Sequence, residues 1–580
     1  MPRGKGSLVA TETEIEPGTQ AGQPWYKSVH HPVFWPAAAL VVVFVLVTMI
    51  WPVEMNTGMA EVQGWIVKVF GSYYTLIVTG FVVFALWVGL GHYGDIKLGK
   101  DDEKPEFTLF SWFAMLFAAG MGIGLVFWGV AEPLNHYAGI PNRAAGASGM
   151  TEQGAQESMV QTFLHWGLHP WAIYVVVGLA IAYAVHRKGH PISIRWTLKP
   201  LLGDRIHGWI GDIIDIAAIV GTLFGVATSL GLGVLQIGAG LNFLEIVGDD
   251  AGKLVYVFLI GGITLIAIFS VVTGVKKGIK WLSNINMGLA GFLLLFVLLT
   301  GPVLFIFREF VQSVGLYFQT LLQKSFDTTA LQGTEGIDWQ NYWTAFYWGW
   351  WISWAPFVGV FIARISKGRT VRQFVAAVLL VPTTLTFLWF TVFGGSALAR
   401  ELSNKGSMVG TDDDGNPSVN DDRSLFELLD GLPGGTLLIG LAIILIVLFF
   451  VTSSDSGSLV VDMLASGGEV EPPTWSRIFW ASLEGLVAIA LLTSGDGATD
   501  GLWALRYAAI IIALPFSIVM IFMCWATLKE FRAERQATLR MQRRQQREEL
   551  TEHVSQSLID EGLVEPNGGN GPSSPGSSRA

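Results

Sequence analysis

Aromatic side chains crowd into the stretch FYWGWWISWAPF at residues 346–357, which carries no charge. Trp350 and Trp354 are four residues apart and therefore share one face of a helix, with Trp351 beside them. Tryptophans often form belts at membrane interfaces, yet these three lie seven or more residues inside the apolar segment. Aromatic faces also bind cations that cannot be hydrogen-bonded, and quaternary ammonium groups are the standard example. The spacing therefore favours one wall of a cation-binding box.

A second aromatic group occupies FLHWGLHPWAIY at residues 163–174. Trp171 and Tyr174 are three residues apart, and Trp166 lies about one and a half helical turns earlier. Pro170 is expected to bend this helix. The segment is a candidate source of further rings for the same box.

Glycines alternate in AAGMGIGLVFWG at residues 118–129. A single glycine in a membrane helix usually lets two helices approach closely. The alternating set Gly120, Gly122 and Gly124 instead favours local unwinding of the helix. Backbone N–H groups freed by unwinding can hold an anion such as a carboxylate.

Hydroxyl side chains cluster in FFVTSSDSGS at residues 449–458. Such residues often bond to their own helix backbone. With carbonyl groups freed by the glycine stretch, Thr452 and Ser453 would also suit a hard cation such as sodium. Asp455 is costly inside a membrane and marks a functional or structural position.

The composition places these motifs in a membrane protein. Hydrophobic residues make up 51% of the 580-residue chain and charged residues only 14%, whereas soluble proteins carry about 25% charged residues. Apolar runs long enough to cross a bilayer recur along the chain. They predict twelve spans, at residues 33–53, 73–93, 108–131, 161–185, 212–246, 253–274, 283–307, 343–365, 371–395, 435–466, 476–494 and 504–527.

The third and eighth spans both contain helix-breaking residues and lie five spans apart. The eighth carries Gly349, Pro356 and Gly359. Transporters often build their site on discontinuous helices at corresponding positions of two repeats. We therefore expect two five-helix repeats, spans three to seven and eight to twelve, each opening with a broken helix.

Lys and Arg gather in the loops after the second, fourth, sixth and eighth spans, whereas the loop at 411–423 is acidic. Positively charged short loops face the cytoplasm, so both termini are predicted to be cytoplasmic. The chain divides into an N-terminal tail at 1–32, a twelve-helix domain at 33–528 and a C-terminal tail at 529–580. Residues 529–563 predict a basic surface helix, and residues 566–580 predict disorder.

Together these motifs resemble the betaine/choline/carnitine transporter family over roughly residues 30–530. The segments that carry the resemblance are GMGIGLVFWGVAEP, FLHWGLHPWAIY, FYWGWWISWAPFVGVFIARISKGRTVRQF and FFVTSSDS. The resemblance implies an all-α polytopic fold of twelve transmembrane helices, with a LeuT-like inverted-repeat core at spans three to twelve. It also implies a homotrimer in a bacterial-type cytoplasmic membrane, with no organic cofactor and no nucleic-acid partner.

The resemblance also assigns residues. The substrate box would be formed by Trp166, Trp171, Tyr174, Trp350, Trp351 and Trp354. The substrate carboxylate would face the backbone of Gly120, Met121 and Gly122. The coupling sodium ion would be bound by Ala118, Met121, Phe449, Thr452 and Ser453. A second sodium site would use Thr222 and Phe357, although Val226 stands where another hydroxyl is wanted.

Two positions bear on the substrate and its coupling. Sodium-independent carnitine exchangers of the family place an arginine in the seventh span, where this chain has Met287. Choline transporters of the family tend to carry an acidic residue in the glycine stretch, where this chain has Gly124. Both positions favour sodium-coupled uptake of glycine betaine or a similar solute. Choline, ectoine, proline and carnitine remain alternatives, with proton coupling or exchange.

Three further readings stay open from the residues alone. His165 and His169 could form a metal pair of an intramembrane enzyme, although no third ligand accompanies them. The spans could also form a channel. The basic tail helix could sense osmotic stress through anionic lipid, or it could be a solvated helix with balancing acids.

Overall fold

The computed structural model describes residues 29–120, 122–139, 149–248, 252–273, 276–495, 500–561 and 563. The predicted disordered end and nearly all of the N-terminal tail lie outside these ranges. Helices corresponding to the twelve predicted spans run over His31–Ile50, Pro52–Leu90, Leu109–Gly120 with Ile123–Ala138, Glu152–Trp166 with Leu168–Ala182, Trp209–Phe243, Lys253–Thr273, Lys276–Thr300, Phe346–Arg364, Val371–Ser403, Gly435–Ala465, Thr474–Thr493 and Asp500–Asp560.

The remaining elements are short or lie between spans. They are the α-helices Lys199–Leu202, Val303–Ser325, Gly333–Gln340 and Ser424–Asp430, the 3-10 helices Ile194–Leu198 and Gly203–His207, the π-helical turns Tyr183–Arg187 and Asn341–Ala345, and the strands Gly410–Thr411 and Pro417–Ser418. The two strands pair antiparallel within the acidic loop. The all-α fold class is confirmed.

Ten described helices are long and apolar enough to cross a membrane. They account for ten of the twelve predicted spans. The other two predicted spans are the third and the eighth, which are the two that were expected to be interrupted.

The third span is interrupted, and the eighth is not. The first half of the third span ends at Gly120 and the second half begins at Ile123. The eighth span runs as one helix over Phe346–Arg364 with Pro356 inside it. The prediction of a break at Gly349 and Pro356 is therefore wrong, because packing against neighbouring helices holds this segment helical.

Two helical features extend beyond the predicted spans. The helix Val303–Ser325 follows the seventh span and packs against the fourth and ninth, where only a loop was expected. The last span continues without a break into the tail, so Asp500–Asp560 is a single helix across the predicted domain boundary at residue 528.

Hydrogen bonds join the loops that follow the second and eighth spans, at the end of the protein predicted to face the cytoplasm. The backbone N–H of Leu98 donates to the carbonyl of Arg369 at 2.8 Å, and Gly368 donates back to Leu98 at 2.7 Å. Lys367 bonds to Glu103 at 2.8 Å, and this hydrogen bond lowers the pKa of the Glu103 carboxyl. The connections after the second and eighth spans therefore behave as one structural unit.

Candidate substrate and ion site

A small cavity opens between the fourth, eighth and ninth spans. Its volume is about 40 Å³. The residues that line it are Trp166, Pro170, Trp171, Tyr174, Trp351, Trp354 and Thr386. None of these residues is charged and five are aromatic, so a bound ligand would contact mainly the faces and edges of aromatic rings.

The rings of the cavity meet edge to face. The ring centroids of Trp166 and Trp351 are 4.8 Å apart with planes inclined by 73°. Those of Trp171 and Tyr174 are 5.3 Å apart with planes inclined by 78°. Edge-to-face packing gives the walls different orientations. Five of the six aromatic residues predicted from the sequence are thus brought together.

Trp350 lies behind the cavity wall rather than among the lining residues. Its ring stacks on Trp351, with centroids 4.7 Å apart and planes inclined by 13°. A Cβ atom built on Gly124 would lie 2.4 Å from the Trp350 ring and 3.2 Å from Trp166. Trp350 therefore supports Trp351 from behind, and Gly124 provides the space that Trp350 fills.

A break in the fourth span sets the direction of its rings. The helix is interrupted at Gly167, three residues before Pro170. Pro170 has no N–H, so the carbonyl of Trp166 loses its usual helical partner. The hydroxyl of Thr386 on the ninth span donates to that carbonyl at 3.1 Å. Pro170, which was expected to bend this helix, and Thr386, which was not predicted, both line the cavity.

The broken third span lies beside this cavity. A Cβ atom on Gly122 would meet the Trp354 ring at 4.0 Å. Gly120 is the last residue of the first half-helix. Met121, which the prediction assigns to both substrate and sodium, lies outside the described residues. The carboxylate-binding role of this backbone stays a prediction.

The predicted sodium residues lie on two elements. Ala118 stands two residues before the end of the first half-helix of the third span. On the tenth span, the hydroxyl of Thr452 donates to the carbonyls of Leu448 at 2.9 Å and Phe449 at 3.2 Å. Its oxygen lone pairs remain able to bind a cation. Ser453 follows it and is half-buried. The sodium site stays a prediction.

The second predicted sodium site lies where the fifth span meets the eighth. Thr222 is fully buried, and its hydroxyl has no hydrogen-bond partner among the described residues. Phe357 packs edge to face on Trp354 at 5.4 Å. Val226 is buried against Gly457 of the tenth span. A buried hydroxyl without a partner is the kind of group that a cation would satisfy.

The two histidines of the fourth span have different partners. His169 bonds to the Ser325 hydroxyl at 2.9 Å, whereas His165 bonds to Glu132 at 2.7 Å. Glu132 also lies close to His136, and the potential ligand atoms of Glu132, His136 and His165 are within 4.8 Å of one another. Hydrogen bonds between the imidazoles and the carboxylate account for this grouping.

Sequence reasoning missed Glu132. The available signal was an acidic residue immediately after the predicted third span at 108–131, at the end of an apolar run, and acidic residues at membrane depth are functional positions by default. Glu132 is fully buried and accepts the indole N–H of Trp166 at 2.6 Å. It therefore touches a cavity wall directly.

Comparisons with known proteins agree with this architecture. The family model described as betaine/carnitine/choline family transporter matches residues 32–536. An uncharacterized transporter of Mycobacterium tuberculosis is 51% identical over 516 residues, covering 89% of this chain and 85% of that protein.

Two relatives carry descriptive names. The glycine betaine transporter OpuD of Bacillus subtilis is 46% identical over 505 residues, covering 87% of this chain and 94% of that protein. Glycine betaine transporter 1 of Vibrio parahaemolyticus is 40% identical over 542 residues, covering 92% of this chain and 100% of that protein. The family match and these relatives show that the chain is a transporter, and not the intramembrane enzyme considered above. The chain belongs to the betaine/carnitine/choline transporter family of multi-pass membrane proteins.

Proposed function

We propose that the protein is a sodium-coupled symporter that takes up glycine betaine or a similar zwitterionic compatible solute. The observation that carries the proposal is the uncharged cavity walled by Trp166, Trp171, Tyr174, Trp351 and Trp354. A trimethylammonium group has no N–H to donate, so ring faces are its natural partners.

The opposite end of such a solute is a carboxylate, and the surroundings of the cavity suit it. The indole N–H groups of Trp171 and Trp354 have no hydrogen-bond partner among the described residues. Buried donors normally find an acceptor. The backbone break after Gly120 lies on the same side as Trp354. A bound carboxylate would satisfy donors of both kinds.

The packing around Gly124 supports a zwitterion over choline. A Cβ atom at this position would lie 2.4 Å from the Trp350 ring. An acidic side chain here would require both Trp350 and Trp166 to move. A ligand that carries its own carboxylate needs no acidic partner at this site.

Sodium coupling is supported by the hydroxyls of Thr452 and Thr222 and by the break that frees backbone carbonyls near Ala118. Sodium at the first site would brace the broken third span against the tenth. Rocking of the two repeats would then expose the solute to the cytoplasm. Each sodium ion that moves inward along a 100 mV inside-negative potential supplies about 2.3 kcal/mol.

The test is uptake into proteoliposomes with glycine betaine, choline, ectoine, proline and carnitine as competitors, with and without an inward sodium gradient. We expect saturable betaine uptake that requires sodium and is competed best by betaine itself. Equal uptake without sodium would reject the coupling. Non-saturable flux would indicate a channel instead.

The variant Trp354→Leu tests the box. We expect betaine affinity to fall by more than tenfold, because a desolvated cation–π contact contributes about 2 kcal/mol. The matched control is Trp209→Leu, since Trp209 is 71% exposed at the start of the fifth span. An unchanged betaine affinity in Trp354→Leu would show that the Trp354 ring is not part of the substrate site.

We also propose that the tail regulates uptake under osmotic stress. Arg187 at the end of the fourth span bonds to Glu534 of the tail helix through its Nε at 2.9 Å, and Lys188 bonds to Glu530 at 2.8 Å. Basic residues of the tail would add about 1 kcal/mol each on anionic lipid. They are Lys529, Arg532, Arg535, Arg540, Arg543, Arg544 and Arg547.

Truncation after Glu530 tests the tail, and Glu534→Gln isolates its contact with Arg187. We expect the truncation to change the dependence of uptake on osmolality, and Glu534→Gln to shift it in the same direction by a smaller amount. Identical curves for all three proteins would show a solvated helix without a regulatory role.

The oligomeric state of the protein and its orientation in the membrane are also part of the proposed function. We expect a homotrimer in the bacterial cytoplasmic membrane with both termini inside, as the family resemblance and the distribution of Lys and Arg suggest. Native mass spectrometry of the purified protein would measure the trimer. Protease protection of a C-terminal epitope in oriented vesicles would measure the orientation.

A further inference from the structure

Glu132 is a fully buried carboxylate that faces four potential donors from three spans. Its Oε1 lies 2.7 Å from Nδ1 of His165 and 3.3 Å from Nε2 of His136. Its Oε2 accepts the Trp166 indole N–H at 2.6 Å and the Tyr347 hydroxyl. An ionised carboxylate has about four acceptor positions, so these partners match an ionised Glu132.

A chain of hydrogen bonds assigns the protons. Nζ of Lys324 donates to Oε1 of Gln161 at 3.2 Å, which fixes the orientation of that amide. The Gln161 amide nitrogen therefore donates to Nε2 of His165, 3.2 Å away. A neutral His165 must then carry its proton on Nδ1 and donate it to Glu132. Both carboxylate oxygens of Glu132 thus act as acceptors.

An ionised Glu132 has no direct partner of opposite charge among the lysines and arginines of the described residues. Lys324 reaches it only through Gln161 and His165, and Lys324 is itself paired with Glu157 at 3.4 Å. Arg506 lies among aromatic rings, 3.7 Å from the centroid of Tyr342. A buried charge without a close partner is costly, unless a cation arrives nearby.

We propose that Glu132 is the counter-charge of the aromatic box and the residue that positions two of its walls. The inference rests on the proposed function, because the ligand must carry a quaternary ammonium group. Glu132 holds the Trp166 ring directly. It holds Trp351 through His165, whose carbonyl accepts the Trp351 indole N–H at 2.9 Å.

The same contact makes the box prefer a charged ligand. An indole that donates its N–H to a carboxylate presents a more negative ring face, which strengthens attraction for a cation. The charge itself also acts across the ring, where little water screens it. Glu132 therefore selects a trimethylammonium group over an uncharged group of the same shape.

The experiment compares glycine betaine with 3,3-dimethylbutyrate, in which carbon replaces the quaternary nitrogen, for binding to the full-length protein and to Glu132→Gln. The measured quantity is the ratio of the two dissociation constants. We expect this ratio to fall about tenfold in Glu132→Gln, because only the charged ligand loses an attraction. Equal weakening of both ligands would overturn the counter-charge and leave a purely structural role.

Two further variants guard against loss of folding. Glu132→Asp keeps the charge, so the ratio should stay within about threefold of the unmodified protein even where overall affinity falls. Trp166→Phe keeps a ring but removes the N–H contact, so the ratio should fall by an intermediate amount. An unchanged ratio in Trp166→Phe together with Glu132→Gln would overturn the proposal. Failure of the unmodified protein to bind betaine would instead reject the proposed function.

Discussion

The third span ends its first helix at Gly120 and begins its second at Ile123, whereas the eighth span runs unbroken from Phe346 to Arg364. Both spans contain glycines, at 120, 122, 124 and 129 in the third and at 349 and 359 in the eighth. Atoms of neighbouring helices approach the Cβ side of these glycines to different distances, and this packing differs between the interrupted span and the continuous one.

In the eighth span, the glycines serve close packing. A Cβ atom on Gly349 would lie 2.9 Å from the backbone of Ile510, and one on Gly359 would lie 2.6 Å from the side chain of Val177. The neighbours thereby hold the helix on both sides. Pro356 removes only one helical hydrogen bond from a segment that is fixed in this way.

In the third span, the helix break and the close packing occur at different glycines. Among the described residues, the atom nearest to a Cβ built on Gly122 is 4.0 Å away, on Trp354. Gly124 lies just inside the second half-helix and is closely covered by Trp350. Of Gly122, Gly124, Gly349 and Gly359, only Gly122, which borders the break, has no described atom closer than 4.0 Å to an added Cβ.

The largest expected effect is that of Gly124→Ala. The added methyl group would meet the Trp350 ring at 2.4 Å, so the wall behind Trp351 must shift. We expect betaine uptake to fall at least tenfold, which corresponds to about 1.4 kcal/mol of binding free energy. The initial uptake rate, normalised to the amount of protein in the membrane, measures this.

Gly122→Ala is the matched control two residues away. Its methyl group finds ordinary contact distance, so uptake should stay within about threefold. If both variants lost uptake equally, the break itself and not the Trp350 contact would be the sensitive feature.

A smaller effect is expected for Gly359→Ala. The methyl group would lie 2.6 Å from Val177 and 3.2 Å from the backbone nitrogen of Gly178. Overpacking of this kind costs about 1–3 kcal/mol. We expect a lower midpoint of thermal unfolding in detergent. Gly440→Ala, whose Cβ side has no atom of the described residues within 4 Å, should leave the midpoint unchanged.

The smallest effect is expected for Pro356→Ala. Because the helix already continues through this position, alanine would add one backbone hydrogen bond, about 1 kcal/mol. We expect uptake within about twofold and an equal or higher unfolding midpoint. Loss of uptake in a stable protein would show that Pro356 acts as a hinge during transport, and the contrast between the two spans would then apply only to this state.

Apolar length predicted the positions of the spans well, and it failed for Val303–Ser325. That helix carries Arg308 and Glu309 within its sequence, so a search for uncharged runs passes over it. Its Tyr317 ring packs against Phe163 of the fourth span and Phe387 of the ninth. Such a helix is recognised only when its neighbours are known.

Residue type and spacing predicted most of the cavity. Trp166, Trp171, Tyr174, Trp351 and Trp354 were all chosen from two sequence motifs, and all line it. Trp350 differs because its ring packs between Trp351 and Gly124, behind the cavity wall. Thr386 was missed because its hydroxyl donates to the Trp166 carbonyl on another span. No local sequence pattern predicts a hydrogen bond between two spans.

The sequence by itself determined that this chain is an all-α membrane protein with clustered aromatic rings and a glycine-rich third span, because apolar length, ring content and glycine spacing are local properties. Tertiary structure alone decided which glycines open a helix and which residues meet Glu132. The partners of Glu132 lie 4, 33, 34 and 215 residues away. Contacts across such separations depend on how helices pack, and that packing is a property of the whole fold.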